Sequence, residues 1–410
     1  MAARSGASLG ALLPRNRLPL VARPPGRANS TLVKTVLEIL FWLSVGLLAW
    51  SQVGYPLALV LLQMVLRRPG GPSAIKGDDV PFVTIVVAAY REATVIERRV
   101  KNLRQLDWPA DRLEIIVACD GSDDGTVEAA RAAGADQVLD LPRGGKVRAQ
   151  DTAVKAATGE LIAFSDANST WRPTALRYLL APFSDSSVAY VCGRVRFERG
   201  DGTNQEGLYW RFEMFIRGLE ARLSSVTAGN GAIYAVRRSD YVEVDPVMGH
   251  DLKLPFTLVK LGHRAVEAPA ASATELMVPS LEGEFARKRR MMSHAWPIVI
   301  KGGLLSPRGY SPLYAFMIFS HRAIRYASPL LHAVALLTSA ILALGSTFWA
   351  AIFVLQALLL GAALLGSRVK AKPLLIARYY VFMTAAIGAG WWDWARHGTE
   401  AGWEPPEGTR

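Results

Sequence analysis

The sequence predicts an α/β domain, with a mostly parallel sheet and flanking helices, joined to α-helical transmembrane segments. The first observation is that apolar β-branched runs alternate with helical patterns between residues 80 and 305, as in right-handed βαβ units. The second is that residues 36–66 contain one charge, Glu38, and residues 329–365 contain no Asp, Glu, Lys or Arg. Both stretches exceed the roughly 20 apolar residues that a membrane span needs.

The soluble part begins with a continuous apolar run, FVTIVVAAY (82–90), which predicts a strand covered on both faces. Ile96, Val100 and Leu103 follow at helical spacing and predict an amphipathic helix. The same patterns predict strands at 113–120, 137–140 and 161–165, and helices at 126–134 and from about Lys146 to Ala157. In such sheets ligands bind outside the carboxyl ends of the strands.

The expected order along the chain follows from these patterns and from the basic flanks of the apolar segments. We predict a disordered basic tail (1–30), an N-terminal transmembrane segment (31–68), the α/β domain (80–305), an interfacial amphipathic helix (312–327), C-terminal transmembrane helices (328–392) and a tail (393–410). Gly345 and Ser346 are expected at a turn between two of the spans. The basic loop SRVKAK (367–372) predicts a multi-pass protein of the cell membrane with its α/β domain in the cytoplasm.

The net charge of +12 comes largely from residues beside the apolar segments, such as Arg322 and Arg325. This placement predicts contact with anionic membrane lipids rather than with nucleic acid, for which the sequence offers no recognised module. Cys119 and Cys192 lie on apolar strand-like runs and are expected to be buried, reduced thiols.

Polar side chains follow three of the predicted strands. Tyr90 and Glu92 come after the first, Asp120 ends the second, and Asp166 and Asn168 end the strand at 161–165. A turn after each strand would explain each group of polar residues separately, but it would not explain why all of them lie at one edge of one sheet. Carboxylate and amide oxygens suit Mg²⁺ or Mn²⁺, which bind few protein ligands and leave positions for substrate phosphates. No P-loop or GxGxxG supports an ATPase or a dinucleotide enzyme.

From about residue 80 to 330 the chain resembles the family-2 glycosyltransferases with a GT-A fold. The first half of the resemblance consists of VTIVVAAYREA (83–93), CDGSDDGT (119–126), GGKVRAQD (144–151) and FSDAN (164–168). It implies that the nucleotide sugar is bound by Ala89, Tyr90, Glu92, Asp120, Lys146 and Asp166. Asp120 would contact the uracil and Lys146 the phosphates. Asp166 and Asn168 would hold the metal, in the place of the family's DxD motif.

The second half consists of AGNGAIYAVRR (228–238), GHDLKLPF (249–256), FARKRR (285–290) and FSHRAIRYASP (319–329). It implies an acceptor-side loop of Gly229, Asn230 and Gly231, a general base at Asp251, and catalytic arginines near the diphosphate at Arg287 and Arg290. There are two departures from the family pattern. Asn168 is a neutral ligand, which lowers the expected metal affinity. The QxxRW motif of processive enzymes is not intact, with Arg287, Arg290 and Met291 at the corresponding spacing.

The resemblance implies a membrane-bound inverting hexosyltransferase that moves a sugar from a UDP-sugar to a growing envelope or extracellular glycan, with Mg²⁺ or Mn²⁺ and possible export partners. Two alternatives stay open: non-processive transfer of one sugar to a lipid-linked acceptor, and a catalytically silent nucleotide-sugar-binding membrane protein. Single residues have simpler interpretations too. Asp251 would cap a helix, the arginine run would face the membrane, Lys146 would be solvated, and Trp210 would pack in the core.

Overall fold

The computed structural model describes residues 25–66, 73–198, 206–278 and 280–402, with side chains described except for 25–30 and 206–209. Most of the predicted tail at 1–30 lies outside the described residues, although a helix already begins at Pro25. Cys119 and Cys192 are buried free thiols, as predicted.

The eight described strands form one sheet in the order β3-β2-β1-β4-β7-β6-β8-β5. Their bounds are β1 Val83–Ala89, β2 Leu113–Asp120, β3 Gln137–Leu141, β4 Leu161–Asp166, β5 Thr170–Trp171, β6 Val188–Glu198, β7 Tyr234–Arg237 and β8 Arg264–Leu276. The four strands predicted from the sequence make the parallel half of the sheet. Beyond β4 the pairing is antiparallel, apart from the parallel β6–β8 pair. The sheet is therefore mixed but mainly parallel, and the α/β class is confirmed.

Seven α-helices accompany the sheet. They are α3 Ile96–Arg104, α4 Thr126–Ala132, α5 Lys146–Ala156, α6 Ala175–Leu180, α7 Glu206–Leu223, α8 His250–Lys260 and α9 Leu281–Ile300. Ile85 and Val87 of β1 pack into the core on one face of the sheet, while Val86 packs into the core on the other. Burial on both faces is why the parallel strands are continuous apolar runs.

The remaining helices lie at the two ends of the chain. They are α1 Pro25–Ala49 and α2 Tyr55–Leu66, then α10 Pro312–Met317, α11 Ile324–Ala343, α12 Thr347–Leu365 and α13 Lys372–His397. π-helical turns at Trp50–Gly54 and Ile318–Ala323 join α1 to α2 and α10 to α11 without a break. Gly345 and Ser346 connect α11 to α12, where the turn was predicted.

Four stretches of the described helices are long and apolar enough to cross a membrane: Thr31–Leu66, Pro312–Ala343, Thr347–Leu365 and Lys372–His397. The segment predicted to lie in the membrane interface, 312–327, runs directly into α11, so its orientation in a bilayer stays a prediction. The domain boundaries drawn from the sequence likewise stay predictions.

A third apolar core joins the α/β domain to the terminal helices. Tyr55 and Leu59 of α2 are fully buried against Ile216 of α7, and Phe256 and Tyr314 belong to the same cluster. The terminal helices α2 and α13 pack on α7 and α9 respectively. Helices α7 and α9 therefore connect the sheet with the candidate membrane spans, and both contribute side chains to the cavity described next.

Candidate active site

A cavity of about 440 Å³ opens at the carboxyl ends of β1 and β4 and extends to the terminal helices. At the sheet end it is lined by Glu92, Lys146, Asp166 and Asn168, and along its middle by Gly229, Asn230, Gly231, Asp251, Arg287 and Arg290. At its far end it reaches Tyr326 of α11 and both Tyr379 and Met383 of α13. Most of the site residues predicted from the sequence are therefore brought together. Ala89, Tyr90 and Asp120 are not part of the lining.

Asp166 and Lys146 form an ion pair at the sheet end. A Cβ on Gly231 would lie 3.2 Å from Lys146 Nζ and 3.3 Å from Asp166 Oδ2, so a glycine there lets the loop approach the pair. Burial acts against the charged form of Lys146, but the Asp166 carboxylate outweighs it and raises the pKa of Lys146. Lys146 is therefore a fixed positive charge in the cavity, and the solvated-surface interpretation is wrong.

The donor set at the sheet end fits a hard cation with few protein ligands. Asp166 supplies a carboxylate and Asn168 an amide. Within the described residues no group of three or more His, Cys, Asp or Glu side chains could hold a metal ion. Mg²⁺ and Mn²⁺ typically bind through one or two carboxylates, with the other positions left to water and substrate phosphates. The residues present match that pattern rather than a closed structural site.

Glu275, near the end of β8, is a cavity residue that the sequence analysis missed. Its Oε1 atom is buried without a hydrogen-bond partner among the described residues. Burial and the Asp166 carboxylate raise the pKa of Glu275 to about 8, against the opposing effects of Lys146, Arg287 and Arg99. Glu275 was not predicted as a site residue because it belongs to no recognised motif and because the sequence pattern did not predict the strand β8 on which it lies.

Asp120 holds the loop that leads into α5. Its Oδ1 accepts hydrogen bonds from the backbone N–H groups of Gly144 (2.6 Å) and Gly145 (3.0 Å), and its Oδ2 lies 2.8 Å from Arg143 Nη1. The Arg143 guanidinium also lies 3.3 Å from the centroid of the Tyr90 ring. Asp120 thereby positions the start of α5 and with it Lys146. A contact between Asp120 and a nucleotide base stays a prediction.

Asp251 lies in the first turn of α8, whose N-cap residue is Gly249. The interpretation of Asp251 as the helix cap is therefore wrong. Its backbone oxygen accepts a hydrogen bond of 2.7 Å from the N–H of Gly229, so the carboxylate and the glycine loop are held together. The preceding His250 is buried, with Nδ1 2.8 Å from the Tyr234 hydroxyl, as expected of a structural histidine.

The arginine run of α9 divides between two surroundings. Arg287 lines the cavity and pairs with Glu284 at 2.6 Å, and Arg290 lines the cavity as well. Arg289 instead pairs with Asp393 of α13 at 2.5 Å. The run is therefore not simply a membrane-facing basic surface.

Trp210 packs against the core, as predicted, and is also part of the cavity lining. It lies on α7 and packs edge-on against Phe197, with ring centroids 5.2 Å apart, and its Nε1 donates to the backbone oxygen of Val195 at 2.9 Å.

A buried ion cluster lies where α7 meets the helical segment 318–325. Glu213 pairs with Arg325 and, at 3.4 Å, with Arg322, and it lies 3.3 Å from His321. Glu220 lies 2.7 Å from His321. Burial would raise the pKa of Glu213, but the neighbouring cations outweigh it and hold that pKa well below its ordinary value.

The prediction that Arg322 and Arg325 contact lipid headgroups is therefore wrong. Arg322 is 6% exposed and bonds to α7 and to Thr227 instead. The reason is that two carboxylates of α7, distant in sequence, face this segment of helix.

Parts of the sequence are similar to known glycosyltransferases. Residues 84–244 match the model of glycosyl transferase family 2. The pre-mycofactocin glycosyltransferase of Mycobacterium tuberculosis is 29% identical over 61% of this chain and 54% of its own length. The beta-monoglucosyldiacylglycerol synthase of Trichormus variabilis is 27% identical over 54% of this chain and 49% of its own length. The chain spans about half the length of the curated relatives it matches.

A solved structure has a similar fold. The mannosyltransferase PcManGT from Pyrobaculum calidifontis, in complex with GDP-Man and Mn²⁺, superimposes with a TM-score of 0.67 and 24% identity. The match covers 87% of this chain and 100% of that chain. The two chains therefore share a fold over most of the length of this chain.

Proposed function

Residues 84–244 match the model of glycosyl transferase family 2, and on this premise we propose that the chain transfers one hexose from a nucleotide-diphosphate sugar to a hydroxyl group of a membrane-borne acceptor. The observation that carries the proposal is that one cavity joins Asp166 and Asn168, the proposed base Asp251, and side chains of α11 and α13 that include Tyr326, Tyr379 and Met383. We favour single transfer over a growing glycan because the processive QxxRW motif is not intact.

The donor is proposed to be a UDP-sugar, as the resemblance around Asp120 implies. The diphosphate would lie beside Lys146 and Asp166, with Arg287 and Arg290 approaching from α9. The solved structure with a similar fold contains GDP-Man, so donors with uracil and with guanine both need to be tested.

In the proposed reaction the acceptor hydroxyl attacks the anomeric carbon from the face opposite the diphosphate, which inverts the configuration. Asp251 accepts the proton of that hydroxyl, because a general base must lie within hydrogen-bond reach of it. Lys146 and Arg290, which both line the cavity, would stabilise the negative charge that develops on the leaving diphosphate. Mg²⁺ or Mn²⁺ held by Asp166 and Asn168 would supply further neutralisation of that charge.

We also propose that the protein is a multi-pass membrane protein with the domain at 80–305 in the cytoplasm, where it meets its soluble donor. Four helices apolar enough to cross a membrane support this arrangement, as does the basic loop at 367–372. Membrane lipids would then be both its surroundings and the source of its acceptor. One relative is named for the synthesis of a glycosyldiacylglycerol, which is consistent with a lipid-borne acceptor.

The test uses the full chain in nanodiscs made from a total bacterial lipid extract. Radiolabelled UDP-glucose, UDP-galactose, UDP-N-acetylglucosamine and GDP-mannose are supplied in turn, with Mg²⁺ or Mn²⁺. We expect one labelled product that is soluble in organic solvent, carries a single sugar and has a β-anomeric configuration when the donor is α. A ladder of products favours the growing glycan. Nucleotide binding without transfer or hydrolysis of any donor favours a silent binding protein.

A further inference from the structure

Arg217 of α7 is a buried arginine that has no ion-pair partner among the described residues. The side chain is 3% exposed, and its Nη2 donates to the backbone oxygen of Gly229 at 3.0 Å. Its Nε and Nη1 atoms have no hydrogen-bond partner among the described residues. A buried guanidinium without a paired anion is strongly unfavourable, so this arrangement indicates a group that binds there.

The acidic residues nearest to Arg217 along α7 are already engaged. Glu213, four residues earlier, pairs with Arg322 and Arg325. Glu220, three residues later, accepts hydrogen bonds from Tyr55 and Thr227 and lies beside His321. Both carboxylates thus fasten α7 to the terminal helices, and neither neutralises Arg217.

The position of Arg217 separates it from the proposed diphosphate site. Arg217 lines the cavity and bonds to Gly229, whose N–H in turn bonds to the backbone of Asp251. Two residues on, Gly231 faces Lys146 and Asp166. The glycine loop therefore contacts Arg217 and Asp251 through Gly229, and Lys146 and Asp166 through Gly231.

We propose that Arg217 binds an anionic group, a phosphate or a carboxylate, that the acceptor carries close to its reacting hydroxyl. This inference rests on the proposed function and names the acceptor class. A guanidinium binds such groups through charge-assisted hydrogen bonds, and the Nε and Nη1 atoms of Arg217 have no other partner among the described residues. Arg322 adds an unpartnered Nη2 atom in the same part of the cavity lining.

The source of the anion is a lipid headgroup, because the lining continues from Arg217 and Arg322 to Tyr326, Tyr379 and Met383 on the candidate membrane helices. An amphiphile can place its head at Arg217 while its chains follow that apolar end. A soluble phosphate ester shares the head chemistry but would leave the apolar end without a ligand.

The test uses the full chain in phosphatidylcholine nanodiscs that contain phosphatidylglycerol, with hydroxyls and a phosphate, or diacylglycerol, with a hydroxyl and no charge. Glycerol 3-phosphate is tested as a soluble acceptor that has hydroxyls and a phosphate but no acyl chains. We expect transfer to phosphatidylglycerol in preference to both others. Arg217→Gln should raise KM for that acceptor about tenfold or more, as loss of a charge-assisted pair predicts, with KM for the donor changed less than about twofold. Arg217→Lys should fall between.

Arg222→Gln is the matched control, since Arg222 lies on the same helix, also has an unpartnered Nε, and is not part of the cavity lining. A second readout does not need turnover: inorganic phosphate, with UDP and Mn²⁺ saturating, should raise the Tm of the wild type and of Arg222→Gln but not of Arg217→Gln. Equal phosphate effects on the three proteins overturn the inference, as does preference for diacylglycerol. Phosphate binding through Arg217 in a protein that uses no donor would instead overturn the proposed function alone.

Discussion

The two ends of the cavity differ in how their charges are balanced. At the sheet end, Asp166 pairs with Lys146, whereas Glu275 has an oxygen without a hydrogen-bond partner among the described residues and a pKa raised to about 8. At the end near the terminal helices, Glu213 is surrounded by Arg322, Arg325 and His321, and its pKa is well below its ordinary value. The sheet end therefore has a buried carboxyl group, Glu275, that is incompletely paired. The carboxylate at the other end, Glu213, is paired with cations of the protein itself.

This difference distinguishes residues that bind a ligand from residues that hold the helices together. Charges that are already paired inside the protein hold α7 to the terminal helices, and substrate gains little by replacing those pairs. Incompletely paired groups stay costly until a ligand satisfies them. Arg217 belongs with the incompletely paired groups although it lies on the same helix as Glu213, which is why it stands out as a ligand-binding residue.

The largest effect on activity should come from Asp251→Asn, which changes the proposed general base in the cavity. Loss of the general base is expected to lower kcat by about 10²–10⁴-fold, while the affinity for UDP is unchanged. Transfer rates and UDP titrations measure the two quantities. Glu243→Gln is a control, because Glu243 is exposed and pairs with Lys155. Retention of more than about a tenth of wild-type kcat contradicts the role of Asp251.

The next largest effect should be on stability, from Glu213→Gln. Arg322 and Arg325 would lose the carboxylate that they share inside the protein, which is expected to cost about 3–5 kcal/mol of unfolding free energy. Glu97→Gln removes an exposed pair with Lys101 and should cost less than about 1 kcal/mol. Unfolding in mild detergent compares the two, and equal losses would show that the cluster does not fasten α7.

The same carboxylate predicts a pH dependence. The pKa of Glu213 is lower in the folded than in the unfolded protein, so as pH falls the unfolded state takes up the proton first. The stabilisation is complete above the unfolded pKa of about 4.3 and is lost as pH falls toward the folded value. The wild type should therefore lose more stability than Glu213→Gln between pH 5 and the acid limit, as chemical unfolding at several pH values can measure. Parallel curves would oppose this.

A smaller, roughly tenfold, effect on kcat/KM is expected from Arg290→Lys, since lysine cannot make bidentate contacts with phosphate. Arg289→Lys is its matched control on the same helix, because Arg289 pairs with Asp393 of α13. Its kcat/KM should stay within about twofold of the wild type. Equal losses in the two variants would assign the arginine run to the attachment of α9 rather than to the substrate.

The smallest effect is expected from Asn168→Asp, which restores a second acidic ligand at the sheet end. Additional ligand charge should tighten Mn²⁺ binding by about three- to tenfold. The activation of donor hydrolysis by Mn²⁺ gives the apparent affinity. Unchanged or weaker activation would mean that residue 168 does not contact the metal.

The sequence predicted the parallel half of the sheet well, because β1, β2 and β4 are buried on both faces and read as continuous apolar runs. It indicated a strand-like run around Cys192 of β6 but did not predict the bounds or the pairing of β5 to β8. Strand β6 is held between β7 and β8, which come later in the chain, so its pairing is decided by tertiary contacts. Glu275 of β8 was missed for that reason.

By itself the sequence determined that polar residues end the parallel strands and that Asp251 and the arginines of α9 follow in the family's order. That information is local, in apolar runs and short motifs. Only the tertiary structure decided which charges are paired. Glu213 and Arg325 are more than 100 positions apart and become partners only when α7 packs on the terminal helices. The same packing excludes water from Arg217, and a side chain's burial depends on every element around it rather than on its neighbours in the chain.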